Sequence, residues 1–241
     1  MPVTRLMLAR HGESAGNVAA AAAELGGLHS LDMVLRDSEV PLTALGEEQA
    51  GALGDALARL AEPPVAVWSS PYIRAASTAR IAVDRAGATL PIREDERLRD
   101  RELGILDLLS SHGVEALHPD EAARRLRLGK FWYRPPGGES WADVALRVRS
   151  ALPEILAGDG PVLIVAHDVV VSLIVYVCCG MSEAAILDLA RRRAVGNATL
   201  TTLNLADRSW RLKGFGDTEH LRAADVPVTK HSDEETHADV I

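Results

Sequence analysis

The sequence predicts an α/β fold in three layers, in which helices cover both faces of a mostly parallel central sheet that has an antiparallel edge. First, short apolar runs alternate with helix-like stretches along most of the chain, which is the pattern of βαβ units. Second, residues 161–166 (PVLIVA) are apolar throughout, as a central strand buried on both faces should be. Third, residues 198–205 and 209–213 indicate a final antiparallel pair of strands.

In the first half of the chain, capping and turn residues separate the predicted elements. Thr43 is a suitable N-cap for the second helix, and Glu47 and Glu48 favour the positive end of its dipole. Ser70 followed by Pro71 predicts the start of the third helix, because serine caps helices and proline suits their first position. The predicted elements are strands at 3–9, 65–68 and 89–93, helices at about 18–25, 43–60 and 71–86, and a loop at 26–41.

In the second half, the segment 105–136 has the least regular pattern, and we predict that it forms a cap-like insert. Ser140, with Asp143 three residues later, resembles a capping box that opens the next helix. The further predicted elements are helices at about 120–128 and 140–156, a strand at 161–166, helices from about 169 and from 182, and the final pair of strands.

The chain of 241 residues divides into one predicted domain and a tail. Neither an internal repeat nor a convincing linker splits residues 1–216, so one domain is expected there. Residues 217–241 hold seven acidic residues against Arg222 and Lys230, and they show almost no apolar periodicity. They are therefore predicted to form an acidic, flexible tail.

Composition excludes several classes of function. A net charge of −8 argues against nucleic acid as a partner. The longest apolar stretch, 169–181, is shorter than the roughly 20 residues that a bilayer requires, so no membrane partner is expected. The chain opens without a secretory signal pattern, which predicts a cytoplasmic protein. Cys178 and Cys179 are adjacent in an apolar run, and are expected to be buried small hydrophobes.

Polar clusters follow the predicted strands at the point where each strand ends. Arg10 and His11 follow the first strand, Ser69 and Ser70 with Arg74 follow the second, and His167 follows the fourth. Since ligands of open α/β sheets bind beyond the carboxyl ends of the strands, these side chains are expected to converge on one edge.

These residues carry a resemblance to a known family. The segment 10–14 (RHGES), with Asn17, is similar to the opening signature of the histidine phosphatase superfamily, in its phosphoglycerate-mutase-like branch. Further pieces resemble that family's motifs in the family's own order, at 41–50, 69–75, 97–104, 137–140 and 165–167. The matches span about residues 3–205, and they imply a phosphoglycerate-mutase-like fold. They also imply phosphoryl transfer through a phosphohistidine, with no metal and no cofactor.

The resemblance assigns roles that the chemistry of these side chains suits. His11 is the implied nucleophile, because a neutral imidazole can approach a phosphate dianion that repels anionic attackers. Arg10 and Arg74 present planar forks that bind phosphate oxygens in pairs. His167 can donate a further hydrogen bond to the phosphoryl group. Ser14 and Asn17 are expected to fill the remaining substrate-binding positions.

Two carboxylates are candidates for the general acid. By the loop motif, Asp100 stands where the family more often has glutamate, and Glu102 is the competing candidate. A bound phosphate dianion would raise the pKa of Asp100 and help it to hold a proton. Asp168 is a second departure, since the family commonly has glycine after the second histidine; we expect its side chain to face away from the phosphate.

Three functions remain open at this stage, with hydrolysis favoured. A cofactor-dependent phosphoglycerate mutase would carry a tyrosine where Leu103 stands and basic residues in 105–111, and this chain has neither. A catalytically impaired phosphate-binding or regulatory protein is the second alternative, which Asp100 and Asp168 keep open. A metal-dependent hydrolase is disfavoured because the two histidines lack a carboxylate-rich set of partners.

The expected partner is a small phosphorylated substrate. Trp132, Tyr133 and Trp141 surround the insert, which is predicted to select the leaving group. An exposed edge at 209–213 would allow a homodimer to form by strand pairing.

Overall fold

The computed structural model describes residues 2–230, and within them six strands form a single sheet. The strands are β1 (Arg5–Arg10), β2 (Ala66–Ser69), β3 (Ile92–Glu94), β4 (Val162–Ala166), β5 (Leu200–Ala206) and β6 (Ser209–Asp217). Their order in the sheet is β3-β2-β4-β1-β5-β6. The first four strands of that order run parallel to one another, whereas β5 pairs antiparallel with β1 and β6 pairs antiparallel with β5. The predicted mostly parallel sheet with an antiparallel edge is confirmed.

Helices form the outer layers. They are α1 (Ala15–Leu25), α2 (Ala44–Ala58), α3 (Ile73–Arg85), α4 (Ser111–Leu117), α5 (Pro119–Leu128), α6 (Trp141–Leu156), α7 (Asp168–Cys179), α8 (Glu183–Arg192) and α9 (Glu219–Ala223). Alternate residues of the central strands face opposite layers, since successive side chains of a strand point to opposite faces. On one face Leu8 and Ile164 pack with α6 and α7, and on the other Met7 and Leu163 pack with α2 and α3. The three-layer prediction is therefore confirmed.

Local capping signals predicted the starts of α2 and α6 well. Thr43 accepts a hydrogen bond from Gly46 N and caps α2. Ser140 and Asp143 form the predicted capping box of α6. The first helix begins three residues before its predicted start, with Ser14 as its N-cap.

The predicted start of the third helix is wrong. Helix α3 begins at Ile73 with Tyr72 before it, so Ser70 is not its N-cap. The Ser70 hydroxyl instead lies 2.9 Å from His167 Nε2, and its backbone N–H donates to Val165 O. The residues at this strand end serve the functional edge of the sheet, which is why the local capping signal was misleading.

The insert at 105–136 contains α4 as well as the predicted helix near 120–128. It is tied to the loop that follows α1, through Leu31 N donating to Leu108 O and Ser110 N donating to His29 O. The insert and this loop together overhang the carboxyl ends of the parallel strands.

The predicted boundary at residue 216 is corrected by the structure. Strand β6 extends to Asp217, and α9 buries Leu221 against Ala52 and Ala198. The Gln49 side chain donates to Pro227 O and Thr229 Oγ1, at 2.9 and 3.0 Å. Residues 217–230 thus pack on the domain, and the remainder of the predicted tail, 231–241, lies outside the described residues.

No helix within residues 2–230 combines the length and apolar character needed to cross a membrane. Cys178 and Cys179, the last two residues of α7, are free thiols that pack against the core; they are half-buried, whereas the sequence predicted them to be buried.

Candidate active site

The candidate site lies where the carboxyl ends of β1, β2 and β4 meet. Each of these strands is followed at once by a polar side chain, namely His11, Ser70 and His167. The rings of the two histidines are fully buried, and their centroids are 5.2 Å apart. The structure therefore brings together the two histidines that the sequence places at strand ends.

His11 is held in one orientation by its own backbone neighbour. Its Nδ1 lies 2.7 Å from Gly12 O, and a carbonyl oxygen can only accept a hydrogen bond. The proton of the neutral ring is therefore on Nδ1, which leaves the lone pair on Nε2. Gly12 must be glycine, because a Cβ atom there would lie 2.3 Å from Gly46 O. The tautomer of His11 is thus fixed at a point where Gly12 packs tightly against the first turn of α2.

The two arginines of the resemblance occupy different positions in this edge. Arg10 is buried and donates from a terminal nitrogen to Val195 O at 2.8 Å. Arg74, in the first turn of α3, donates to Asp100 Oδ2 at 2.9 Å and pairs with Asp37 Oδ1 at 2.9 Å. Arg74 thus stands between two carboxylates, and its fork contacts both.

Asp100 touches both His167 and Arg74. Its Oδ2 lies 3.0 Å from His167 Nδ1, while His167 Nε2 lies 2.9 Å from Ser70 Oγ. Burial acts to raise the pKa of Asp100, but His167, Arg74 and then His11 outweigh it and hold that pKa well below its usual value. In this arrangement Asp100 is an ionised carboxylate. It contacts His167 and Arg74, the same two side chains that could donate hydrogen bonds to a phosphate.

Glu102, the competing candidate for the general acid, lies apart from the histidines. Its side chain is half exposed, accepts a hydrogen bond from the Tyr72 hydroxyl at 3.0 Å, and approaches Arg99. Asp168 follows His167 at the start of α7, and its carboxylate accepts from Val169 N. The contacts therefore place Asp100, and not Glu102, beside the second histidine.

Ser14 and Asn17 build the start of α1 at the edge of the site. Asn17 Oδ1 accepts from Ser14 N at 3.1 Å, and Ser14 Oγ accepts from Asn17 N. Both residues line the cavity described below, on the same wall as Gly16. The structure thus puts the two predicted substrate-binding residues next to the site, where they also form a capping box.

The site contains two further residues, which the sequence analysis missed. Asp37 sits in a 3₁₀ turn of the loop 26–41, and burial raises its pKa although Arg74 opposes this. Asn197, in the segment between α8 and β5, donates to Asn17 Oδ1 at 3.0 Å and to His11 O at 3.3 Å. Neither residue carried a local signal, because each acts through partners distant in the sequence.

A cavity of about 460 Å³ extends from Arg74 and Asp100 beneath the insert. Its walls come from α1, from the loop after it, and from residues of the insert between Leu103 and Pro135. This volume falls in the range of ordinary small-molecule sites. Within residues 2–230, no three His, Cys, Asp or Glu side chains cluster as the ligands of a metal ion would.

Comparison with known proteins agrees with this geometry. The chain is 30% identical over 234 residues to a probable phosphoglycerate mutase GpmB of Yersinia enterocolitica, covering 93% of this chain and 96% of the relative. It is 33% identical over 196 residues to a 2,3-bisphosphoglycerate-dependent phosphoglycerate mutase of Methylobacterium radiotolerans, covering 79% and 86%. A mycobacterial glucosyl-3-phosphoglycerate phosphatase solved with vanadate superposes with a TM-score of 0.70 at 29% identity, covering 88% of this chain and 98% of that one.

The family model of the histidine phosphatase superfamily (branch 1) matches residues 6–218, which include both buried histidines and both arginines of the site. This match, the order of the strands in the sheet, and relatives aligned over most of their length all confirm the family resemblance. The chain belongs to the histidine phosphatase superfamily, branch 1.

Proposed function

We propose that this protein is a metal-independent phosphatase that hydrolyses phosphomonoesters through a phosphohistidine formed at His11. The observation that carries the proposal is the pairing of two buried histidines, 5.2 Å apart, with the tautomer of His11 fixed by Gly12 O. The lone pair of a nucleophilic imidazole must point at phosphorus, and the fixed tautomer supplies it at Nε2. Arg10, the last residue of β1, and Arg74, in the first turn of α3, provide buried cationic charge at this edge of the sheet.

In the first step His11 Nε2 attacks phosphorus, the phosphorus–nitrogen bond forms, and the bond to the leaving oxygen breaks. Charge on the phosphoryl oxygens is balanced by the arginine forks and by His167, which act as preorganised donors. In the second step a water oxygen attacks phosphorus, the phosphorus–nitrogen bond breaks, and neutral His11 is regenerated. Phosphate leaves with the oxygen of that water.

Asp100 is the proposed source of the proton for the leaving oxygen, and it takes a proton from the attacking water in the second step. In the free protein its pKa is held well below the usual range by His167 and Arg74, against the effect of burial. A phosphate dianion on those same donors would withdraw their positive charge from the carboxylate and raise its pKa. Substrate binding therefore prepares the acid that the reaction needs.

A phosphoglycerate mutase is the second candidate, because two relatives that span most of the chain bear that name. A mutase must keep its phosphohistidine for transfer back to the same substrate, and needs cationic groups for the substrate carboxylate. Here Leu103 and the segment 105–111 supply no lysine or tyrosine near the acid loop. Hydrolysis is therefore the first proposal, and a loss of catalysis with retained phosphate binding is the third.

The test is release of an aryl alcohol from a generic aryl phosphate in excess chelator, across about pH 5 to 8. We expect turnover by the wild type and none by His11→Ala, while the exposed His29→Ala serves as the matched histidine control. Quenching into alkali, in which phosphoramidates survive, should reveal a phosphorylated protein in the wild type alone.

Wild-type activity in His11→Ala would end the proposal. If neither protein turns over while vanadate still binds, the mutase or the binding-only function replaces it. An assay for isomerisation of 3-phosphoglycerate then separates those two.

A further inference from the structure

The cavity next to Arg74 and Asp100 has predominantly apolar walls. The insert and the loop after α1 contribute Leu31, Met33, Leu106, Leu108, Leu109 and Val114. Most of these side chains are only half-buried, and the surface that they leave uncovered faces a volume of about 460 Å³. Because apolar surface gains free energy when it leaves water, this lining favours an apolar occupant.

Several polar groups of the same lining are engaged with the protein itself. Glu24 accepts from Ser111 N and from Ser111 Oγ, both at 2.6 Å. Arg101 donates from Nε to Glu139 O at 2.6 Å. The Ser110 hydroxyl donates to Leu28 O and accepts from Gly113 N. These groups stabilise the walls of the cavity, and a ligand that relied on them would have to break the contacts.

The charge of the lining also selects against an anionic leaving group. Among the described residues that line the cavity, the carboxylates outnumber the arginines by five to three. The carboxylates are Glu24, Asp37, Asp100, Asp107 and Glu115, and the arginines are Arg74, Arg101 and Arg125. Arg74 is already paired with Asp37 and Asp100. A leaving group with its own carboxylate would therefore meet net negative charge.

We infer that the substrate is a phosphomonoester whose leaving group is bulky, uncharged and predominantly apolar, such as an aryl or a six-carbon alkyl alcohol. The inference rests on the proposed function for the phosphoryl end, and it adds the chemical class of the alcohol that the cavity accepts. It separates this chain from enzymes acting on phosphoglycerates, whose leaving groups are short and acidic.

The first experiment measures kcat/KM for straight-chain alkyl phosphates of two, four and six carbons. Each methylene buried is worth about 0.8 kcal/mol, which corresponds to roughly a fourfold gain per methylene. We expect a rise of at least tenfold from ethyl to hexyl phosphate, and weaker activity on 3-phosphoglycerate than on either. A specificity constant that is flat or falling with chain length would overturn the inference while leaving the phosphatase proposal intact.

A binding measurement keeps the inference testable if no substrate turns over. Calorimetry with ethylphosphonate, hexylphosphonate and 5-carboxypentylphosphonate, which the protein cannot hydrolyse, reports affinity alone. We expect hexylphosphonate to bind at least tenfold more tightly than each of the other two. Equal affinities for the hexyl and carboxypentyl compounds would overturn the inference.

Two neighbouring alanines of α5 provide a matched pair of variants. Ala122 lines the cavity and is half-buried, whereas Ala123 is exposed and does not line it. Ala122→Phe should lower kcat/KM for hexyl phosphate at least tenfold and leave that for ethyl phosphate within about twofold. Ala123→Phe should change neither, and an equal loss on both substrates in Ala122→Phe would contradict occupation of the cavity by the leaving group.

Discussion

At the scale of single residues, the site depends on a carboxylate that lies between a histidine and an arginine. Asp100 Oδ2 is 3.0 Å from His167 Nδ1 and 2.9 Å from an Arg74 nitrogen, so phosphate and Asp100 compete for the same donors. Aspartate has one methylene fewer than the glutamate usual at this position of the family. Its reach is correspondingly shorter, and its contacts with His167 and Arg74 follow from where the loop 97–104 holds its backbone.

Replacement of Asp100 by asparagine should separate leaving groups by their acidity. Asparagine keeps the volume but carries no transferable proton, and an aryl oxygen needs that proton much less than an alkyl oxygen does. For Asp100→Asn we expect kcat to fall roughly 10²- to 10⁴-fold on alkyl phosphates and far less on aryl phosphates. The measurement is kcat for both classes in wild type and variant, and equal losses on the two would remove Asp100 as the general acid.

Asp100 also determines whether kcat rises or falls with pH. In the free protein the pKa of Asp100 is lowered, so the carboxylate is ionised throughout the neutral range. By the proposed mechanism the bound phosphate dianion raises this pKa. We therefore expect kcat on an alkyl phosphate to fall as pH rises through the raised value, which a pH profile of kcat measures. The fall should be absent in Asp100→Asn.

Arg74 should not tolerate lysine, although lysine keeps the charge. Both of its terminal nitrogens contact Asp37, and one of them also donates to Asp100. A single ammonium cannot reproduce that fork or pair phosphate oxygens in the same plane. For Arg74→Lys we expect kcat/KM to fall by roughly 10²-fold or more. Arg85→Lys, on the same helix and in an exposed pair with Asp55, is the control and should stay within about twofold of wild type. A small effect at both positions would place Arg74 outside the phosphate site.

At the scale of elements, capping signals were reliable where the side chain bonds the third backbone N–H that follows it, even when it has a second partner, as Thr43 has in Glu13. Thr43 and Ser140 were predicted as N-caps, and each bonds the backbone N–H three residues later. Ser70 carried an equally strong local signal and failed, because its hydroxyl accepts from Tyr72 N, only two residues later, and lies against His167. The misplaced start of α3 is therefore a mark of the functional edge of the sheet.

The capping box of α6 gives a stability prediction with a defined pH dependence. Ser140 Oγ donates to Asp143 Oδ2 and accepts from Asp143 N, and Arg134 pairs with the same carboxylate. Burial acts to raise the pKa of Asp143, but the hydrogen bonds from Arg134 and Ser140 lower it to about 2. A carboxyl with a lowered pKa stabilises the fold above its ordinary pKa near 4, and this contribution is lost as pH falls through about 2.

Ser140→Ala should therefore reduce the free energy of unfolding by about 1 kcal/mol at neutral pH, and the deficit should shrink as pH approaches 2. Urea denaturation at several pH values measures it. Ser150→Ala, on an exposed position of the same helix, is the control. A deficit that stays constant down to pH 2 would show that the ionised carboxylate does not take part.

At the scale of the whole molecule, the strand-end histidines, the arginines and the layered fold could be predicted from the sequence, because motif and periodicity are local properties. Asp37, Asn197 and the packing of 217–230 could not, because each depends on contacts between distant parts of the chain. Asn197 illustrates the point. Its side chain bonds His11 before α1, Asn17 within α1, and Thr229 near the end of the described chain. Homodimer formation through the exposed edge of β6 stays a prediction.

The C-terminal segment should support the active site through this same chain of hydrogen bonds. Thr229 Oγ1 donates to Asn197 Oδ1 at 3.0 Å, and Asn197 N donates to Thr229 O at 3.0 Å. Asn197 in turn donates to Asn17 Oδ1, and Ala198 N donates to His11 O at 3.1 Å. Removal of Thr229 would take away the hydrogen-bond partners of Asn197 Oδ1 and Asn197 N. Loss of a partner is costly for a buried polar group.

A chain that ends at residue 216 should therefore lose both stability and activity, whereas one that ends at residue 230 keeps every contact named above. We expect the shorter chain to unfold at a lower temperature, because the apolar contacts of Leu221 with Ala52 and Ala198 are also lost. Thr229→Val in the full chain separates the two effects, since it removes the hydroxyl alone and keeps α9. That variant should lower kcat on an aryl phosphate several-fold, with a smaller fall in Tm than the truncation causes. If its kcat equals that of the wild type, residues 217–230 stabilise the domain without positioning His11.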